Sequence, residues 1–574
     1  MKTRTGAEIA LDVLADEGVE VIFGYPGGAI MPLYDALYSH DVRHILVRHE
    51  AAAAFAASGY ARTTGRTGVC MATSGPGATN LVTGIADALL DNVPLVAITG
   101  QVRSSMMGTD AFQEIDIVGI TQAITKRSEV VRNVQDIEPA LRAAFKSARG
   151  PRPGTALVDL PSDVLKARLE RRAFTRDAST DYAGTSRNDT AAQQGDLRQA
   201  HAVSVKAAVE ALRRATRPLI MVGGGARWSG ATAAYRALLR LLGVPHCATL
   251  HGLGCSDPCD PLFLGMAGMH GTRRANLAIE QTDCLVALGM RFDDRITGDP
   301  QTFAPNARDI IHADIDASEF GKTVRVDIAL HGDLRGTIEQ LNARLRTTVM
   351  HVGSEWLRLT LAPSASLPID ASQDRYLSAT DALDSFFAAL PTDAIVTTDV
   401  GQHQMWAAQR VSPRDMTSFI SSGGLGSMGF GLPAAIGAQI AHPNRPVFAV
   451  VGDGGFQMSM AELATLRRYN LPVKILLIDN AHLGMVRQWQ ELFFDCRYSE
   501  TQLPENPDFT LLARAYDINS KRVDARSNLA EAMGRFIREP RAALLHCSCY
   551  PHENVWPIIP AGTSVGHMMD GSPA

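Results

Sequence analysis

The feature that most restricts what this chain can fold into is a repeated unit: a short strand rich in β-branched residues, a glycine-rich turn, then a helix. It recurs in three regions. The first runs to about Asp163 and contains "TGVCMATSGPGATNLVTGIADALL" and "VPLVAITG". The second begins near Val203 and contains "PLIMVGGGA", "TDCLVALGMRFDDR" and "RDIIHADIDAS"; the third runs from about Ala379 to Tyr550. Strands that alternate with helices pair in parallel, with helices over both faces of the sheet. The expectation is an α/β chain of three doubly wound parallel-sheet domains, at residues 1–168, 201–345 and 377–550. Linkers at 169–200 and 346–376 and a tail at 551–574 complete it; the first linker is polar and without periodicity, the second loop-like in composition.

Size and composition agree with this. At ~150 residues per domain, a chain of 574 residues holds three or four compact units. Hydrophobic residues at 46% and charged residues at 20% are enough to build their cores. A net charge of −5 with no long basic block makes nucleic acid a poor main partner. The first twenty residues space Ile9, Val13 and Leu14 as an amphipathic helix, without the apolar core of a secretory signal. No apolar run reaches the ~18 residues of a membrane span, so a soluble, cytoplasmic protein is expected. Eight cysteines lack zinc spacing, and most are expected to be buried thiols in a reducing compartment.

The most informative single stretch is "VVGDGGFQMSMAELATLRRYNLPVKILLIDN", Val450 to Asn480. Pro446 to Val451 and Val473 to Ile478 read as buried strands, and Met460, Leu463 and Leu466 give the helix between them an apolar face. A right-handed crossover makes such strands parallel. Asp453 and Asn480, one after each strand, then arrive at the same sheet edge. The free N–H groups at the helix start favour a phosphate there, and Gly452, Gly454 and Gly455 let the backbone approach it. A carboxylate, an amide oxygen and a diphosphate are hard oxygen ligands for Mg²⁺. Other phosphate motifs compete poorly. "FGKT" at Phe320–Thr323 has Asp316 where a P-loop needs its first glycine. "GLGSMG" at Gly424–Gly429 matches the dinucleotide fingerprint but reads as a second wall of the same pocket. "HEAAA" lacks the second His of a zinc motif, so His49 is not a metal candidate.

Gly-Asp-Gly followed at this interval by an Asn pair resembles the signature of thiamin-diphosphate enzymes, with Asp479 replacing the first Asn of the commonest form. The wider chain is similar to the catalytic subunits of acetohydroxyacid synthase (acetolactate synthase). The motifs that carry this are "FGYPGGAIMPLYDAL", "RHEAAAAFAASGYAR", "TSGPGATN", "GTDAFQE", "GMHGT", "RFDDR", "DVGQHQMW", "GLGSMGFGLPAAIGA", "LGMVRQWQELFF" and "ENVWP".

The resemblance implies that pyruvate is decarboxylated on thiamin diphosphate. The two-carbon unit then passes to pyruvate or 2-oxobutyrate, giving 2-acetolactate or 2-aceto-2-hydroxybutyrate for branched-chain amino acids. It also implies site residues. Glu50, otherwise a carboxylate near a helix start, becomes the acid facing the cofactor's pyrimidine ring, with Gly28, Phe112, Gln113 and Lys126 as further catalytic positions. The rest of thiamin diphosphate falls to Val400, Gly401, Gln402, His403, Gly426, Met428, Gly452, Asp453, Gly454, Gly455, Asn480, His482, Gly484, Met485 and Val486. Met428, otherwise a core methionine, matches the residue that bends the cofactor. Mg²⁺ falls to Asp453, Asn480 and His482. FAD, in a structural role, falls to Arg152, Gly224, Thr249, Leu250, Met269, His270, Gly289, Arg291, Asp293, Asp314, Ile315 and Asp333.

For the acceptor acid the resemblance implies Arg295 as a cationic fork, Trp489 as the pocket residue that favours the larger oxo acid, and Met269 as a further substrate position; without the resemblance, Arg295 reads as a surface ion pair and Trp489 as a core aromatic. A homodimer or tetramer and a small regulatory subunit are implied as well. Ser162 departs from the Lys of many relatives. Two rivals are a flavin-dependent relative of pyruvate oxidase, against which Arg295 and "RQWQ" speak, and a silent regulatory relative, against which Glu50, Asp453 and Asn480 speak.

Overall fold

The computed structural model describes residues 2–171, 191–346, 352–361 and 376–571. Three six-stranded sheets are present, every pairing within them parallel. The N-terminal sheet runs, edge to edge, Arg43–Leu46, Val21–Gly24, Gly68–Ala72, Leu95–Gln101, Thr155–Pro161 and Arg127–Val130. The C-terminal sheet repeats that order with Phe419–Ile420, Ile395–Thr398, Val447–Gly452, Lys474–Asp479, Ala543–Ser548 and Asn519–Val523. In both, the first strand of the sheet sits second from one edge, and the chain then reverses direction across the sheet. The central sheet is ordered Phe263–Met266, His246–Ala248, Pro218–Val222, Cys284–Leu288, Asp309–Asp314 and Ile328–His331. That is the order of dinucleotide-binding domains.

The strands are apolar throughout because both faces are covered. Successive side chains point to opposite faces, so Val447, Ala449 and Val451 join the core shared with the N-terminal domain, while Phe448 and Val450 join the core on the other side. The shared core is built where helix Gly431–Ala441 lies on helix Glu50–Thr64. A Cβ on Gly59 would overlap the Ala434 carbonyl, and one on Gly437 would overlap that of Ala56. Two alanine-rich helices thus meet backbone to backbone. Phe55 and Phe430 close the contact edge to face at 5.5 Å.

The first helix, Gly6–Asp16, buries Ile9, Val13 and Leu14 and starts with a capping box in which Glu8 accepts from the Thr5 N–H at 2.7 Å. Both expected linkers contain regular structure. In 169–200, strand Arg168–Arg171 pairs antiparallel with Lys2–Thr5, and helix Ala191–Arg214 begins; residues 172–190 lie outside the described residues. In 346–376, helix Ser354–Leu361 buries Trp356, whose Nε1 donates to the Pro218 carbonyl at 3.0 Å. The tail crosses the central domain, where the Ile559 N–H donates to the Met269 carbonyl at 2.9 Å. Six cysteines are buried, while Cys259 and Cys496 are exposed. Among the described residues no helix is long and apolar enough to cross a membrane.

Candidate active site

In an open parallel sheet, ligands collect at the carboxyl ends of the strands, at the point where strand order reverses. In the C-terminal domain that point lies between Ile395–Thr398 and Val447–Gly452, the strands followed by Asp399–His403 and by Asp453. Asp453 starts helix Asp453–Ser459, and Gly452 pairs in register with Ile478, so Asn480 emerges on the adjacent strand. Asp453 and Asn480 are both buried. Asn506 donates through one amide nitrogen to Asp453 Oδ2 at 2.8 Å and to Asp479 Oδ1 at 3.1 Å, and accepts from Gln457 at 2.9 Å.

Burial, with the neighbouring Asp479 charge, pushes the Asp453 carboxyl up to about 8. Burial acts in the same sense on Asp479, but His546 at 2.7 Å and the Ala481 N–H outweigh it and hold that carboxyl below its usual value. The departure at Asp479 is therefore matched by a buried histidine. Asn480 donates to Gln402 at 3.1 Å and accepts from the His482 N–H at 3.2 Å. The His482 imidazole turns back onto the Asn480 carbonyl at 2.8 Å.

The surroundings fit a magnesium diphosphate. His403 is buried against Gly401 and Gly452, and its Nε2 has no hydrogen-bond partner among the described residues. Burial drives it down to about 3, so it is a neutral imidazole with a ring nitrogen to offer. Gly484 allows close approach, since a Cβ there would lie 2.7 Å from the Asn480 amide nitrogen. Met485 and Val486 follow it on helix Gly484–Phe493. The "GLGSMG" segment lies beside these turns. Asp399 accepts from the Gly429 N–H at 2.9 Å and the Gly431 N–H at 3.0 Å. Gly426 and Gly429 sit at positive φ, and the Met428 methyl lies 3.4 Å from where a Gly454 Cβ would be.

At the N-terminal reversal point, between Val21–Gly24 and Gly68–Ala72, Gly27 and Gly28 follow one strand and Thr73 the other; Thr73 accepts from the Ala29 N–H at 3.3 Å. Glu50 opens helix Glu50–Thr64 and accepts from Asn80 at 2.9 Å. The turn that presents it is held by Glu462, which accepts the N–H groups of Arg48 at 2.8 Å and His49 at 3.2 Å. Gln113, at φ 61, packs against Gly75, and Phe112 beside it is 88% exposed. Lys126 stands elsewhere: it precedes strand Arg127–Val130, at the opposite sheet edge, and donates to the Arg152 carbonyl at 2.5 Å.

The central reversal point lies between Pro218–Val222 and Cys284–Leu288. Gly225 and Gly289 meet there, with a Gly225 Cβ position 2.9 Å from the Gly289 Cα, while the preceding Gly224 faces His251. Thr249 caps the turn Leu250–Gly252, Asp293 caps Asp294–Thr297 below Arg291, and Asp333 caps Leu334–Leu345. Asp314 ends its strand and accepts from the Asp316 N–H, and the Ile315 carbonyl lies 3.1 Å from His331 Nε2. His270 is buried with Nδ1 unpaired among the described residues, and burial with the Arg295 charge takes it down to about 4. The close glycines and the open His270 nitrogen fit a dinucleotide. Arg152 is engaged, by Asp316 and by Glu319 at 3.1 Å.

The three expected acceptor residues converge. The Arg295 guanidinium lies 5.5 Å from the Trp489 ring centroid, and its Nη1 is 3.1 Å from the Met269 sulfur. Its side chain is 52% exposed, with Asp294 only as near as 3.9 Å, so the fork is open to an incoming carboxylate. Asn80 and Asp399 lie within "TSGPGATN" and "DVGQHQMW" without a role of their own assigned there, while Glu462 and Asn506 had no sequence signal beyond an acid or amide near a strand or helix end.

Family profiles match in three blocks: the N-terminal TPP binding domain of thiamine pyrophosphate enzymes over residues 4–120, their central domain over 205–341, and their C-terminal TPP binding domain over 399–547. The acetolactate synthase isozyme 2 large subunit of Escherichia coli (strain K12) is 45% identical over 98% of this chain and 99% of that protein. A probable acetolactate synthase large subunit of Methanocaldococcus jannaschii is 43% identical over 97% and 94%. The acetolactate synthase large subunit of Corynebacterium glutamicum is 43% identical over 98% and 89%. With three matching domains in order and such relatives over nearly its whole length, the chain belongs to the thiamine pyrophosphate enzymes, among the acetolactate synthase large subunits.

Proposed function

We propose that this chain decarboxylates pyruvate and transfers the two-carbon unit to a second pyruvate or to 2-oxobutyrate, using thiamin diphosphate, Mg²⁺ and a structural FAD. The observation that carries the acceptor chemistry is the corner of Arg295, Met269 and Trp489, formed by two domains. When bound, thiamin diphosphate supplies the carbanion and the electron sink for loss of carbon dioxide. Asp453 and Asn480 would hold the metal on the diphosphate, with His403 and the start of helix Asp453–Ser459 on its oxygens. Glu50, oriented by Asn80, would face the pyrimidine ring and hold or release a proton at its carboxyl. The guanidinium of Arg295 pairs with the acceptor's carboxylate, and the Trp489 ring gives its alkyl group an apolar wall.

A homodimer or tetramer is supported by apolar side chains left open near both halves of the site: Phe112 in the N-terminal domain and Met458, 65% exposed, in the C-terminal one. A small regulatory subunit is supported by the relatives' designation as large subunits. Competition between pyruvate and 2-oxobutyrate, with and without each cofactor, tests the reading. Acetohydroxy acids that require thiamin diphosphate and Mg²⁺ are expected; acetate with peroxide would contradict it.

A further inference from the structure

The loop that presents Met428 is held at its far end by Asp399, but its near end is held from outside its own domain. Asp87, on helix Val82–Leu90, accepts from the hydroxyls of Ser422 and of Ser427, the latter at 3.0 Å. Asp91, at the end of that helix, accepts the N–H groups of Gly423 at 3.0 Å and Gly424 at 2.6 Å. Both carboxylates are buried, and so is Arg62, which donates to Asp91 at 2.7 Å and to the Ser421 carbonyl at 3.1 Å. From the central domain, His251 Nε2 lies 3.0 Å from Asp91 Oδ1, at ion-pair distance but not aligned for a hydrogen bond.

A buried charge survives only where its partners compensate the loss of water. Burial works against the charged form of Asp91, and His251 and Arg62 overcome it, holding this carboxyl well below its usual value. Asp87 goes the other way, pushed up to about 6 by burial and by the Asp91 charge. One carboxylate thus keeps its charge at a node where all three domains meet. Two of its four contacts are to loop backbone four and five residues before Met428. A side chain on Gly423 would collide with His251, so loop and imidazole are fitted to each other.

We propose that Asp91, anchored by Arg62 and His251, is a positioning residue that fixes the Gly423–Gly424 backbone and thereby the place of Met428. This rests on the reading of Met428 as cofactor-facing. The test uses the full chain, with thiamin diphosphate affinity measured by titration calorimetry in Mg²⁺, flavin content by absorbance, and kcat and KM for pyruvate. Asp91→Asn turns an accepting oxygen into a donor facing a backbone N–H or a cation. It should weaken thiamin diphosphate binding about 10- to 100-fold and lower kcat, leaving KM for pyruvate within about twofold and flavin content unchanged.

Should Asp91→Asn not fold, as read by circular dichroism, His251→Ala and His251→Gln carry the test. The alanine variant should bind the cofactor more weakly, and the glutamine variant, which returns a polar side chain beside Asp91, should restore it. The proposal is overturned by a folded Asp91→Asn or His251→Ala with unchanged cofactor affinity. Glutamine as defective as alanine, or flavin lost in parallel, overturns it too. A wild-type chain that fails to bind thiamin diphosphate would instead sink the functional reading beneath it.

Discussion

The N-terminal and C-terminal sheets share one strand order and expose their turns at the same break in it, yet they offer opposite chemistry. At the N-terminal break a single carboxylate, Glu50, takes one hydrogen bond from Asn80 and stands beside an exposed aromatic loop. At the C-terminal break two carboxylates, Asp453 buried and Asp479 half-buried, stand side by side, stitched by Asn506. Topology decides where a ligand goes; the turn residues decide what is done to it. The first arrangement suits proton exchange with a neutral ring, the second a cation between anions.

The largest effect should come from breaking the N-terminal side alone. Glu50→Gln keeps size and the Asn80 contact but removes the acid, and kcat should fall by ~10²–10⁴ while the cofactor still binds. Near wild-type turnover in that variant would remove Glu50 from the mechanism. On the C-terminal side, Asn506→Ala leaves Asp453 and Asp479 without their bridge. Outer-shell partners of metal ligands typically contribute ~10–100-fold in metal affinity, so a Mg²⁺ titration of activity should shift by that order.

A smaller effect belongs to the acceptor corner, which neither sheet supplies alone. Pyruvate and 2-oxobutyrate differ by one methylene, worth ~10-fold or more in a fitted apolar pocket. Trp489→Leu should therefore bring the product ratio toward unity by about tenfold in competition assays. An unchanged ratio would take Trp489 out of acceptor selection.

The smallest effect separates the sheets by pH. Asp159, buried in the N-terminal sheet with Thr99 at 2.7 Å and Gln101 at 2.9 Å, is pushed up to about 7 by burial. Its folded-state value is raised above the unfolded one, so the native chain binds the extra proton. Its contribution is fullest below the unfolded value and is lost as pH rises through about 7. Asp159→Asn should therefore gain stability relative to wild type as pH rises from 5 to ~8, in thermal melts. A pH-independent difference would show that the carboxyl ionises freely.

The ends of the Val450–Asn480 unit were legible because a parallel crossover forces them to one edge, whatever lies between. The meeting of Arg295 with Trp489 was legible only through family resemblance, since the two stand far apart in sequence and on different domains. Asn506, Glu462 and Asp91 were not legible. Each is a lone polar residue whose partners are backbone N–H groups or carboxylates brought from other segments by tertiary packing. The linkers misled for a local reason. "AAQQGDLRQA" is polar but rich in good helix formers, and one tryptophan, Trp356, was enough to dock a helix in an otherwise loop-like stretch.

The C-terminal break is proposed to grip a metal diphosphate through Asp453. Titrating thiamin diphosphate into the full chain, with Mg²⁺ and with chelator, for wild type and Asp453→Ala, addresses it directly. Binding that needs both the metal and Asp453 is the predicted result. Equal affinity in all four titrations would contradict it.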